Sequence, residues 1–248
     1  MKRVFPVLAA LFLAVASPCV RAGVDAPETT PAATPVAAGN FVGVDAVEWK
    51  AILPPQPPNG SLAALADVET VLRIQAARTP VDVAWAKLIE KDNIFADYRE
   101  VLGPWFAEKN LPVLAEFLGR VTADAQATNS RIKSLYFRSR PPAIEPTVLP
   151  CVDIPKSNSY PSGHSLRAFV WAAVLGDIFT DRTVSLHACA HRVAWGRVIG
   201  GVHFPTDVVG GRIAAQAIVA EMRKSPAYRA AIEKCREEAA PYWQKKAA

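Results

Sequence analysis

The chain has 248 residues, 51% hydrophobic and 21% charged, with a formal net charge of +5 and a pI near 9.1. That composition excludes a disordered or collagen-like chain and leaves room for one domain with a substantial core. The basic residues Lys2, Arg3 and Arg21 fall in the first 22 residues, which hold no acids, so the remainder carries only +2; with no Lys/Arg run, nothing marks a nucleic-acid-binding surface.

Lys2 and Arg3, the apolar run from Val4 to Val15 and the small residues ending at Ala22 have the layout of a secretory signal peptide over residues 1–22, cleaved after Ala22. The apolar run is shorter than the roughly 20 residues that span a bilayer, so no stable membrane insertion is expected and a periplasmic or secreted location is. In an oxidising compartment Cys151, Cys189 and Cys235 could form one disulfide and leave one thiol, with the pairing open; buried unpaired cysteine is the alternative. Residues 23–60 are rich in Pro and Ala and contain Pro54-Pro55-Gln56-Pro57-Pro58, which reads as an extended or disordered arm, with the folded domain occupying 61–248.

From there apolar residues recur at helical spacing: Leu62, Leu65, Val68, Val71 and Leu72; Val83, Leu88 and Ile89; Leu114, Phe117, Leu118 and Val121. Ser61, Pro80 and Pro112 are start signals for these helices, the third running as far as Phe137. Later helices are predicted over 163–179, 183–197, 205–223 and 226–239, divided by Asp181, Gly200-Gly201 and Ser225-Pro226. No segment alternates like a strand, so the fold class is all-α, a single-domain helical bundle.

Three clusters in this frame carry chemistry. Lys133 and Arg140 are seven residues apart, close to two helical turns, so both cations would share one face and could grip one anion; a solvated face gives the same pattern. Pro141 should end that helix at Arg140. Ser162 and Gly163 open a helix after Pro161, where free N–H groups and the helix dipole seat an anion, with His164 beside them as a proton donor; a plain N-cap is the alternative. Arg197 precedes the Gly200-Gly201 break, and His203 and Asp207 follow four residues apart at the start of the next helix. A carboxylate there can fix the imidazole tautomer and leave the other nitrogen free to attack phosphorus; an Asp that merely complements the dipole is the alternative.

Lys133 with Arg140-Pro141, Tyr160-Pro161-Ser162-Gly163-His164, and Arg197 with His203 and Asp207 together resemble the three-part signature of the type 2 phosphatidic acid phosphatase (PAP2) superfamily. The short chain, the leader and the Ser159-Tyr160 lead-in resemble, within it, the bacterial class A non-specific acid phosphatases, from about Ile52 to the C-terminal helix. The resemblance implies a compact all-α domain acting on small-molecule phosphate monoesters. His203 would be the nucleophile, Asp207 its orienting partner and His164 the donor to the leaving oxygen. Lys133, Arg140, Ser162, Gly163 and Arg197 would bind the phosphoryl oxygens, with no metal or other cofactor. Gly196 stands where the family usually has Ser, Asn158 and Ser165 where Gly and Thr are common, and Gly200-Gly201 where a Cys-containing turn is usual.

A neutral His203 and a protonated His164, each with an ordinary value near about 6.5, would give a bell-shaped, mildly acidic profile. Vanadate-dependent haloperoxidases resemble the same signature, and a non-catalytic phosphate-binding protein is a third class. The intact His203, Asp207 and His164 favour catalysis. His187 and His191, four apart without an acidic third ligand, read as a partly exposed helix face. Trp195 is expected to wall the site and Tyr136 with Phe137 to pack beneath or line it. The physiological ester and a homo-oligomeric state are left open.

Overall fold

The computed structural model describes residues 39–243; the expected leader, residues 1–22, lies outside them. In chain order the helices are α1 (Trp49–Ile52), α2 (Leu62–Ala77), α3 (Pro80–Ile89), α4 (Ile94–Asp97), α5 (Arg99–Leu102), α6 (Pro112–Leu135), α7 (Pro141–Ile144), α8 (Gly163–Ile178), α9 (Thr183–Ile199), α10 (Pro205–Met222) and α11 (Pro226–Trp243). No strand occurs among the described residues, and the fold is all-α.

The helix starts follow local chemistry. Ser61 caps α2 through its hydroxyl to the Ala64 N–H, and Thr79 with Asp82 forms a capping box ahead of Pro80 at the first turn of α3. Ser162 caps α8 in the same way, accepting from the Ser165 N–H at 3.4 Å. The end of α9 closes by a Schellman motif: Val202 N–H reaches the Arg197 carbonyl at 3.2 Å and Gly201 N–H the Val198 carbonyl at 2.9 Å. Gly201 takes φ +74°, which a side chain would resist, and the turn carries the chain from Arg197 directly to His203.

Helix α8 is the central element. Its residues from Leu166 to Ile178 are buried against α9, α10, α6 and α11, with only Arg167, Ala173 and Asp177 partly exposed, so it shows no broad solvent stripe. It meets α10 closely because Gly211 has no side chain: a Cβ there would lie 2.6 Å from the Ser162 carbonyl and 2.8 Å from Ser165 Cβ. That approach sets the glycine turn of α8 against the first turn of α10.

Two expectations need correction. The fold begins before Ser61, because Phe41, Val42, Trp49 and Leu53 are part of the core. Asp124, buried midway along α6, accepts from the N–H groups of Asn40, Phe41 and Val42 at 2.8, 2.7 and 3.2 Å, which anchors a segment without helical periodicity. The inward face of α2 also differs from the apolar stripe: Leu62 and Leu65 are exposed, whereas Asp67 and Val71 are buried. A charged residue takes the inward position because it has a buried partner, described below.

Candidate active site

The residues expected from the sequence converge between the N-terminal ends of α8 and α10, the C-terminal ends of α6 and α9, and the loop before α7. Asp207, in the first turn of α10, is fully buried and completely satisfied. Its Oδ2 accepts from the Ser159 hydroxyl at 2.6 Å, the Phe204 N–H at 2.9 Å and His203 Nδ1 at 3.2 Å; its Oδ1 accepts from Arg138 Nη1 at 2.7 Å. With the proton held on Nδ1, His203 keeps its lone pair on Nε2. Arg140 Nη1 stands 3.1 Å from that nitrogen.

The cations surround it. Arg140 is held by the carbonyls of Ser157 at 2.9 Å and Val202 at 2.8 Å, and Lys133 Nζ donates to the Asn158 carbonyl. Helix α6 ends at Leu135 and Arg140 caps α7, so the two cations do not share a helix face as their spacing predicts. Asn158 brings them together instead: its side-chain amide donates to the carbonyls of Lys133 and Tyr136 at 3.2 Å each, closing the end of α6. Arg197 is 1% exposed, yet its Nε and Nη1 have no hydrogen-bond partner. A buried guanidinium with two open donors is costly unless an anion completes it.

On the α8 side, Ser162 is fully buried and its N–H is occupied by the Asp207 carbonyl at 3.0 Å. The donors left for an anion are therefore the N–H groups of Gly163 and His164 at the first two positions of the helix, which have no acceptor within it. His164 Nε2 lies 3.3 Å from the Glu90 carbonyl; a carbonyl only accepts, so this nitrogen carries the proton and Nδ1 is the free one.

Burial dominates the acid–base behaviour. It pushes His203 down to about 3, with the Arg140 and Lys133 charges adding to the shift and the Asp207 hydrogen bond opposing it. Burial, then the Arg197 and Arg167 charges, push His164 down to about 2. Lys133 falls to about 7 and Arg140 to about 10, each from burial first; Arg140 further lowers Lys133, and Arg197 further lowers Arg140. Burial alone would raise Asp207, but the hydrogen bond and charge of His203, the Arg138 charge and the Ser159 hydroxyl outweigh it and hold the carboxyl at about 2. Both imidazoles are thus neutral across the mildly acidic range, unlike the balance of ordinary histidines that the sequence suggests. Cations crowded enough to lower one another mark a place that favours a multiply charged anion.

Sequence reasoning missed four members. Arg138 is 5% exposed, stacks 4.0 Å over the Phe204 ring and bridges Asp207 to Asp67. Asp67 receives Arg138 Nη2 at 2.7 Å and the Thr206 N–H at 3.2 Å, and Thr206 Oγ1 also donates to it. Ser159 completes the Asp207 shell. Arg138 stands two residues before Arg140, so its charge was visible; Asp67 is 71 residues away and gave no signal beyond an acid on the Val71 side of its helix.

Other expectations fall elsewhere. Trp195 is 41% exposed and lines an outer groove with Val81, Trp85 and His191. Tyr136 packs against Tyr160 at 5.2 Å and donates to the Leu53 carbonyl at 3.1 Å, beneath the site, while Phe137 is exposed. His187 and His191 lie against the Phe169 ring. Cys151, Cys189 and Cys235 are separate free thiols, the last two buried.

The span that holds Lys133, Arg138, Arg140, the Ser162–His164 turn, Arg197, His203 and Asp207 matches a described protein family over residues 115–230. The matched family is the PAP2 superfamily. The match leaves Asp67 outside its bounds. Along more of its length the chain is 28% identical over 208 residues to the non-specific acid phosphatase of Providencia stuartii, covering 78% of this chain and 81% of that one. It is 27% identical over 204 residues to the non-specific acid phosphatase of Salmonella typhimurium, with the same coverage. In fold it is similar to the first bacterial vanadium-dependent iodoperoxidase of known structure, with a TM-score of 0.56 at 15% identity over 74% of this chain; that match spans about half of the other protein, 53%. No helix among the described residues is long and apolar enough to cross a membrane.

Proposed function

We propose that this protein is an acid phosphatase that hydrolyses phosphate monoesters through a phosphohistidine on His203. The observation that carries the reading is the buried His203–Asp207 pair, with Nδ1 fixed by the carboxylate and Nε2 turned to Arg140, beside the unpartnered guanidinium of Arg197. The relatives that bear the acid phosphatase name support it.

In the first step the Nε2 lone pair attacks phosphorus, the P–O bond to the leaving group breaks, and His164 delivers a proton to the departing oxygen. Lys133, Arg140 and Arg197, with the Gly163 and His164 N–H groups, balance the charge spread over the equatorial oxygens. Three side-chain cations supply the counter-charge that many phosphoryl-transfer enzymes obtain from divalent ions. Water then attacks the phosphohistidine, His164 takes its proton and passes it to the new phosphate, the P–N bond breaks, and inorganic phosphate leaves as the monoanion with His203 and His164 both neutral again.

Because His164 is neutral in the site, the proton it transfers arrives with the substrate. A phosphate monoester is a monoanion below its second pKa near about 6 and carries that proton into the pocket. His164 Nδ1 relays it to the leaving oxygen. Acidity of the optimum is then a property of the ester as much as of the enzyme. The Lys2–Ala22 leader pattern supports export to the periplasm or beyond.

The test offers the mature protein p-nitrophenyl phosphate with chelator present, beside His203→Ala. Turnover with chelator that is abolished in the variant is expected; turnover that needs added metal, or a variant as active as wild type, overturns the reading. Peroxide-dependent halide oxidation after vanadate addition would favour the haloperoxidase class instead.

A further inference from the structure

We propose that Asp67, on α2 and outside the reacting groups, is a positioning residue for His203 that acts through Arg138 and Asp207. The inference rests on the assignment of His203 as nucleophile. Arg138 is buried and places one nitrogen on each of two buried carboxylates, Asp207 at 2.7 Å and Asp67 at 2.7 Å. A lone Arg138–Asp207 pair would be neutral, and Asp207 would have its charge spent on the guanidinium. With Asp67 as a second carboxylate, the Asp67–Arg138–Asp207 set keeps one net negative charge, and the carboxylate oxygen facing His203 retains its pull on a cationic imidazole. That pull matters when His203 bonds to phosphorus and its ring becomes positive.

Geometry points the same way. Asp67 also accepts from the N–H and hydroxyl of Thr206, the residue before Asp207, so one side chain fixes both the first turn of α10 and the arginine that orients its carboxylate. Arg138 is further constrained by the Phe204 ring beneath it and by Thr206 Oγ1 at 2.7 Å. The side-chain hydrogen bonds of Asp67, Arg138 and Thr206 run among themselves and to Asp207, and none goes to Lys133, Arg140 or Arg197.

The groups that face His203 are Asp207 from α10, Arg140 from the loop before α7, Lys133 from α6 and His164 from α8. Asp67 is screened from it by Arg138. Removing its charge should therefore change how well His203 tolerates positive charge, and should leave the grip on phosphate oxygens alone.

The experiment compares Asp67→Asn with wild type on p-nitrophenyl phosphate, separating kcat from KM across pH. The expected result is a kcat about tenfold lower, as for loss of one charge-assisted hydrogen bond, with KM within about twofold. The acid limb should move to lower pH, because a less supported His203 protonates at lower pH. In an Asp207→Asn background the Asp67→Asn change should cost no further kcat, since the relay is already cut. Asp67→Glu, which keeps the charge, should hold the acid limb where wild type has it. If the Asn variant does not fold, Asp67→Ser is read by the same measurements.

A folded variant with wild-type kcat and acid limb, or an equal loss of kcat in the Asp207→Asn background, overturns the proposal. A purely structural Asp67 would lower thermal stability in both backgrounds without moving the acid limb. Failure of the underlying functional reading is distinct: it shows as turnover by His203→Ala, whatever Asp67→Asn does.

Discussion

Arg140 Nη1 lies 3.1 Å from His203 Nε2, so the nitrogen to which attack is assigned accepts a hydrogen bond from a cation assigned to the phosphoryl oxygens. The same arginine grips the Val202 carbonyl at 2.8 Å, next to His203 in the chain. Arg140 thus fixes the nucleophile's position and meets the charge that develops opposite it. Arg140→Ala should lower kcat/KM by about a hundredfold or more, as when a preorganised donor to a developing anion is lost. Arg140→Lys should recover little of it, because an ammonium cannot span Ser157, Val202 and Nε2 together. Steady-state kinetics on p-nitrophenyl phosphate check both.

Asp207→Asn keeps the shape of the site but no longer fixes the proton on Nδ1 of His203. An amide can turn its NH2 toward the imidazole and select the wrong tautomer, so kcat should fall by about a hundredfold at least, with a smaller change in KM. Removing the charge also leaves Arg138 only Asp67 as a carboxylate partner, and thermal unfolding should register a loss of about 3 kcal/mol.

The pH behaviour follows from burial. His203 is held down to about 3, so its lone pair survives until the medium approaches that value, while the ester's own proton is lost above about 6. Activity should therefore fill the interval between these limits, and its basic limb should shift when esters of different second pKa are compared. Stability should move the opposite way. Both imidazoles bind protons less readily folded than unfolded, where their value is near about 6.5; stability is full above that pH and falls as pH drops from there towards about 3. Melting temperature measured against pH should show this slope, and it should flatten in His203→Ala.

Gly211→Ala tests the contact that sets α10 against α8. The added methyl would meet the Ser162 carbonyl at 2.6 Å and Ser165 at 2.8 Å, and backbone cannot swing aside as a side chain can. A destabilisation of about 1–3 kcal/mol is expected, reduced by the better helix propensity of alanine, together with a lower kcat because Asp207 moves with the helix. Urea denaturation and kinetics on the same preparation check the two parts.

What was legible in the chain was whatever is decided locally. Ser61, Pro80, Pro112, Ser162, Pro205 and Pro226 mark helix starts because capping and proline geometry act within one turn. The three clusters were legible for the same reason: each sits at a helix end, where free N–H groups and charges gather. Long-range pairing was not. The inward turn of Asp67 depends on Arg138, and the anchoring of residues 40–42 depends on Asp124, more than 80 residues away. Lys133 and Arg140 have helical spacing yet stand on separate elements, because the amide of Asn158 closes α6 at Leu135. The pKa values of the two histidines were also hidden, since they express burial rather than sequence neighbours.

The most direct measurement of the central claim is the covalent state of His203 during turnover. Enzyme mixed with p-nitrophenyl phosphate, quenched in alkali within the first turnovers and digested, should yield one phosphoryl group on the peptide that contains His203. The adduct should be stable in base, labile in acid and absent from His203→Ala. Phosphate found on another residue, or rapid turnover with no phosphoryl group on His203 at any quench time, would contradict the account.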